Sequence, residues 1–411
     1  MVMAEGNHAL HLCQNLARRG LDVHLLTTRG AVSEGLPFKV YPIMRDWSWR
    51  DLPRFMRFVR HCSPDAVLMI YIGFIYNDHP MTTFAPTICK WVLPRIPFVV
   101  QFENVMGAPP DRWPVSTRLV RKLIKQWIGP EGVDYGFGTL LRDSDGVIAL
   151  CERHESQLVT LFPSIKQKCV VIPAPTMMKV CDEANGEPRK AGRKLLNLRS
   201  NEFTLVYYGY IYPNKGLETL LRGFKLVRNG GCNIRLVIAG GVPAHLREER
   251  VAYLAELKEL ARTLGVGNDV IWTGQCDWDS DEASLYLHAA DVCVLPFDDG
   301  ISMNNSTFAA AALHGRPIIA TRGSMLERIF LDGENVFLCA PRNPEALAGA
   351  INTLMERAEL RERLGLGALK LSEEWFCWDK AIERTMGTLS TEWEISNCTT
   401  FSQAQRSQRQ T

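Results

Sequence analysis

The sequence has no paired cysteines, no long apolar run and no excess of either charge, and each absence narrows what the chain can be. Its twelve cysteines are scattered, and none sits in a Cys-x-x-Cys pair. That excludes a disulfide frame or structural zinc site and predicts reduced core thiols in a cytoplasmic protein. No apolar stretch approaches the roughly 20 residues of a membrane-spanning helix. Met1 to His8 lack the basic-then-apolar order of a secretory signal. The formal net charge is +2, so no global field draws nucleic acid. The nine histidines show no metal spacing, and the Lys-Ser/Thr ending of a P-loop is missing.

At 411 residues, the chain is too long for one ordinary core and suits two domains of roughly 150–200 residues. Short, nearly continuous apolar runs at Val23–Leu26, Ala66–Ile72, Phe98–Phe102 and Gly146–Leu150 alternate with helical patterns such as Glu152–Leu161. Such runs are expected of a parallel sheet buried on both faces. A second series begins at Thr204–Tyr208 and continues through Arg235–Ala239, Val270–Thr273, Val292–Leu295, Pro317–Thr321 and Val336–Cys339. The fold class is therefore α/β, with two Rossmann-like domains. The expected boundaries are 1–175, a linker at 176–202, a second domain at 203–375, a helix crossing back at 376–395 and a disordered tail at 396–411. Helical periodicity begins within a few residues of Met1, so the strand that normally opens such a domain is expected to be missing.

Two loops carry the chemistry. The first, Gly209-Tyr210-Ile211-Tyr212-Pro213-Asn214-Lys215-Gly216, joins a strand to an amphipathic helix. Glycine at both ends lets the backbone approach a ligand closely, and a lysine beside a helix N-terminus suits a phosphate. The plain alternative is a solvated surface lysine. The second loop runs from Pro296-Phe297-Asp298-Asp299-Gly300-Ile301-Ser302-Met303-Asn304-Asn305-Ser306-Thr307 into an alanine-rich helix. Ser306 is expected as its N-cap, with the amides of Thr307 to Ala309 facing an anion. Two such loops in one domain favour a diphosphate site over simple capping.

These loops, together with Ile238-Ala239-Gly240-Gly241, Thr273-Gly274, Ser144-Asp145-Gly146-Val147, Glu327 and Asp332-Gly333-Glu334-Asn335, resemble the retaining glycosyltransferases of family 4. The resemblance spans nearly the whole chain. It implies a GT-B fold, two Rossmann-like domains facing across a cleft, that moves a sugar from a nucleoside diphosphate sugar to an acceptor hydroxyl without metal or cofactor. It places the donor base near Gly240 and Gly274 and the diphosphate near Gly209, Lys215, Gly300, Ser302, Asn304, Asn305, Ser306 and Thr307. The candidate catalytic residues are Lys215, Asp299 and Glu103, the last standing where the family commonly has histidine. The resemblance also puts the start of the first helix, with His8 and His11, on the acceptor side.

The chain departs from the family in three places. Tyr210 replaces the usual arginine, the two motif glutamates would fall at Ser302 and Ala310, and Asn304 and Asn305 occupy positions that are often basic. A catalytically impaired GT-B protein that binds nucleotide sugar or a partner is therefore one alternative, and a GT-B sugar-nucleotide epimerase is another. Asp143-Ser144-Asp145 and Asp279-Ser280-Asp281 spell the Asp-x-Asp of metal-dependent transferases. The first precedes a strand and the second suits a helix N-cap, so no metal site is assigned. The basic, amphipathic stretch Trp113–Ile128 could rest on anionic lipid as a peripheral membrane contact, or bury its apolar face on the sheet.

Overall fold

Aliphatic and β-branched runs become parallel strands here, and the amphipathic stretches between them become crossover helices. The computed structural model describes residues 4–31, 35–77, 79–105, 137–181, 187–242, 247–276 and 280–390. They divide into two units: residues up to Pro173 together with those from Ala381 onward, and Ala174–Lys380. The stretch Trp113–Ile128, Asp279 and the tail 396–411 lie outside the described residues.

The first unit opens with α1 (Ala4–Arg18), which turns Leu12, Cys13 and Leu16 inward. Strands β1 (His24–Thr28) and β2 (Lys39–Met44) pair with each other as a two-stranded parallel sheet. Helix α2 (Leu52–Cys62) starts on a proline and ends where Ser63 turns left-handed. Then come β3 (Val67–Tyr71), α3 (Ala85–Val92), β4 (Phe98–Phe102), β5 (Gly146–Ala149), α4 (Glu152–Leu161) and β6 (Cys169–Val171). A four-stranded parallel sheet runs β3-β4-β5-β6, and every residue of β4 is buried. The acidic pair before β5 is spent on local structure. Asp145 accepts from the Phe98 amide at 2.8 Å and pairs with Lys90 at 2.8 Å. Asp143 binds Arg142 and the Thr87 hydroxyl.

The second unit begins with a helix where sequence periodicity suggested a linker. Helix α5 (Pro188–Leu195) carries four basic residues and no apolar stripe, so nothing in its pattern announced it. It is held by close approach and by cationic capping. Gly192 lies so near Leu285 that a Cβ would stand 2.1 Å from the Leu285 carbonyl oxygen. Arg189 donates to the Ala290 carbonyl at 3.0 Å, and Arg193 donates to the Ala289 carbonyl at 3.2 Å.

The remaining elements are β7 (Phe203–Tyr208), α6 (Leu217–Asn229), β8 (Ile234–Ala239), α7 (Arg247–Thr263), β9 (Val270–Gly274), α8 (Glu282–Ala289), β10 (Val292–Leu295), α9 (Ser306–Leu313), β11 (Ile318–Thr321), β12 (Phe337–Cys339), α10 (Pro344–Glu356) and α11 (Ala358–Trp375). Their strands form one parallel sheet in the order β12-β11-β10-β7-β8-β9, with β7 central. The last helix, α12 (Trp378–Leu389), carries Ala381 to a small core with Val99, Ile148 and Ile172 in the first unit.

Candidate functional site

The carboxyl ends of β7, β8, β9 and β10 gather the four glycines that the sequence singled out, and their backbones nearly touch. Gly209 has φ +136 and Gly240 φ +155, and a Cβ on Gly240 would lie 1.9 Å from the Gly209 carbonyl oxygen. Gly240 bridges Gly274. Only glycine tolerates this combination of left-handed backbone and contact.

The two loops are fastened to each other. Asp298 N–H donates to the Asn214 carbonyl at 3.1 Å. A Cβ on Gly216 would lie 1.8 Å from the Pro296 carbonyl oxygen, and one on Gly209 would lie 2.6 Å from Thr307 Cγ2. Lys215 Nζ sits over the rings of Tyr212 at 4.7 Å and Phe297 at 4.4 Å. Among the described residues it makes no ion pair with a carboxylate. A cation held by aromatic faces and left without an anion is suited to receive one.

The second loop is shaped from beneath by a residue that had no periodic pattern to mark it. Glu327 is buried, and its carboxylate accepts from the Ser302 hydroxyl at 3.2 Å and from the Met303 amide. Ser302 thus turns its side chain into the protein, and Ala310 is fully buried. Asn305, not Ser306, is the N-cap of α9. Its carbonyl accepts from Phe308 and Ala309, while its side chain accepts from the Ser302 amide at 2.7 Å. The amides at the helix head are therefore those of Ser306 and Thr307, one residue earlier than the sequence suggested. Beside them the Thr307 hydroxyl is buried without a hydrogen-bond partner. Such a group normally finds one, so its vacancy points to a ligand acceptor.

Asn304 is half-buried on the same loop. Gly300 has φ +82 and packs on Gly323. Asp299 points outward, 71% exposed and 3.9 Å from Arg342.

Glu103 belongs to the first unit, at the end of β4. It receives hydrogen bonds from His8 Nδ1 at 3.1 Å and Gln101 Nε2 at 2.8 Å. Burial pushes its carboxyl up, but the charge and hydrogen bond of His8, with Gln101, hold it below the usual carboxylate range. Burial, reinforced by Arg153, pushes the nearby His154 imidazole down to about 4 against the pull of Glu103. Burial, with His8 and Arg18, also lowers His11. Sequence reading named His8 and Glu103 separately. Their contact joins the first helix to the end of β4, 95 residues away, which no local pattern encodes.

Among the described residues no cluster of three potential metal ligands occurs. No described helix is long and apolar enough to cross a membrane.

Comparison with known proteins adds the following. The family profile described as Glycosyltransferase Family 4 matches residues 6–176, and that described as Glycosyl transferases group 1 matches residues 202–357. The chain is 26% identical to a Salmonella typhimurium lipopolysaccharide 1,2-N-acetylglucosaminetransferase over 202 residues, 48% of this chain and 50% of that protein. It spans only 50–58% of the length of the first curated relatives it matches. A crystal structure of a glycosyltransferase from Rickettsia africae superposes with a TM-score of 0.72 at 15% identity, covering 97% of each chain. One of Anabaena HepE in complex with UDP superposes with a TM-score of 0.70 at 15% identity, covering 95% of this chain and 98% of that one.

Proposed function

The chain is a member of glycosyltransferase family 4 with the GT-B fold, and from that premise we propose that it transfers a sugar from a nucleoside diphosphate sugar to an acceptor hydroxyl, retaining anomeric configuration and needing no metal. The observation that carries this reading is the fastening of the Gly209–Gly216 loop to the head of α9. It brings together an unpaired cation at Lys215 and a vacant Thr307 hydroxyl, beside the amides of Ser306 and Thr307. Those groups would neutralise the diphosphate as its charge develops on departure, so positioned donors and a lysine do the work of a divalent ion.

UDP is the first nucleotide to test, because the structurally similar HepE was crystallised with it. Gly240 and Gly274 leave room for the base. Glu103, kept ionised by His8, is the candidate to accept the acceptor's proton, and Asp299 is the candidate on the donor loop. Without a carboxylate at Ser302 or Ala310, binding without turnover is the competing reading.

The test is a thermal-shift screen of UDP-, GDP- and ADP-sugars, followed by NMR of the product formed with the donor that stabilises. A ligand at a hundred times its dissociation constant adds roughly 2.7 kcal/mol. Stabilisation without transfer or hydrolysis would favour the binding protein, and exchange at the sugar's second carbon would favour the epimerase. No shift with any donor would remove the proposal.

A further inference from the structure

We infer that the first unit is built to hold one more parallel strand, between β1 and β3, and that its occupant is an apolar strand running directly into α1. The argument is internal to this chain and does not rest on the proposed transfer reaction. In the second unit β7 leads into α6 and α6 into β8. After β9, helix α8 returns the chain to β10 on the other side of β7. Strands β8 and β10 are not neighbours there, because each hydrogen-bonds to β7 between them.

The first unit repeats the same succession from its first helix onward. Helix α1 leads into β1, β2 follows on the far side, and α2 returns the chain to β3, with β4 next. By this correspondence β1 stands for β8 and β3 for β10. Yet among the described residues β1 pairs only with β2, and β3 only with β4. The right-handed crossover preferred in parallel sheets puts the strand preceding α1 into the space between them.

Burial supports the vacancy. In the second unit all of β10 is buried, and so are five of the six residues of β8. In the first unit the four leading residues of β1 are half-buried, and so are Val67, Leu68, Met69 and Ile70 of β3. Leu25, Leu26 and those four are aliphatic, as interior strands require, and they are covered less than their sequence calls for. Polar groups point the same way. Val67 N–H donates to Pro97 on the β4 side, so strand alternation turns the amides of Leu68 and Ile70 to the open edge. The occupant must therefore be apolar on both faces, about five residues long and parallel to β3. Its turn into α1 would close over the start of α1, where His8 meets Glu103. The Gly209–Gly216 loop holds the equivalent position in the second unit.

Hydrogen exchange by mass spectrometry on the full chain tests this directly. Fragments covering 24–28 and 66–72 should exchange at least about tenfold faster than those covering 234–239 and 292–295. An N-terminal extension bearing a five-residue valine- and isoleucine-rich strand with a glycine turn should protect both fragments. It should also raise the melting temperature by about 5 °C or more. A proline at the middle of that strand should abolish both gains, since it removes a ladder donor. If β1 and β3 in the unextended chain are already as protected as β8 and β10, the slot is filled and the inference fails. It fails equally if the extension protects nothing. Protection that grows with protein concentration would put a second copy in the slot and overturn the assignment to a strand continuous with α1.

Discussion

Gly216→Ala probes the contact on which the donor site depends. Gly216 caps α6 at φ +69, and an added methyl would lie 1.8 Å from the Pro296 carbonyl oxygen. A left-handed alanine costs about 1–2 kcal/mol by itself. Relieving the overlap requires the two loops to part by about 1 Å, at a further cost of about 1–3 kcal/mol. The sum falls below the roughly 5–15 kcal/mol of a typical domain, so the variant should fold. Gly231→Ala is the control. Its backbone is also left-handed, at φ +82, but nothing lies within 4 Å of the new methyl. Urea denaturation should show the 216 variant losing more stability than the 231 variant. Calorimetric titration with UDP should show affinity at least about tenfold weaker for the first and unchanged for the second, a difference of about 1.4 kcal/mol. Equal stability losses, with wild-type UDP affinity in both, would refute the idea that this loop contact shapes a phosphate site.

Lys215→Ala should weaken UDP binding by about 1–3 kcal/mol, the worth of a charge-assisted phosphate contact, and leave the urea midpoint unchanged. An unaltered dissociation constant would take Lys215 out of the site. Sugar transfer should persist in excess EDTA; loss of activity restored by manganese would mean that a metal does the work assigned here to Lys215 and α9. Burial pushes the His314 imidazole from 6.5 down to about 4. The unfolded form then takes up a proton first as pH falls, and stability is present above pH 6.5 and lost towards pH 4 by up to about 3 kcal/mol. His314→Asn should flatten that slope, and denaturation curves of unchanged pH dependence would contradict the assignment. His8→Ala should destabilise the first unit by about 3–5 kcal/mol by leaving Glu103 buried without its partner. A smaller loss would mean that water reaches the carboxylate.

The second unit was legible wherever a strand reads as an unbroken aliphatic run. Val292–Leu295 has the bounds its sequence suggested, and Arg235–Ala239 gained only Ile234. Elements whose stability comes from contact and not from pattern were harder to read. Strand β2 contains Pro42 and β6 has only three residues. Helix α11 carries glycines 365 and 367, which look like breakers in sequence. In the fold they admit the carbonyls of Gly315 and Glu334, since a Cβ there would stand 2.5 and 2.2 Å from those oxygens. The site followed the same division. Glycines and Lys215 announced themselves by spacing, but the buried carboxylate of Glu327 holds the Ser302–Met303 turn across 24–25 residues. Asn305 displaces Ser306 as the cap because its carbonyl serves two amides while its side chain is already committed to Ser302. Neither choice is visible without the loop's path.

The return of α12 to the first unit sets an order of events during synthesis. Residues Ala174–Lys380 are contiguous, so the second unit has its whole core once that stretch has cleared the ribosome. The first unit emerges earlier but must wait. The patch of Val99, Ile148 and Ile172 is closed by Ala381, and Gly146 has no side chain because Thr388 packs 2.8 Å from where a Cβ would be. The half of the protein made first is thus finished last, and its sheet carries an uncovered apolar patch for more than two hundred residues of elongation. At about 5–20 residues per second this lasts on the order of ten seconds or more. That interval is long enough for a chaperone to bind the nascent chain, and the patch left open until Ala381 arrives is where it would do so.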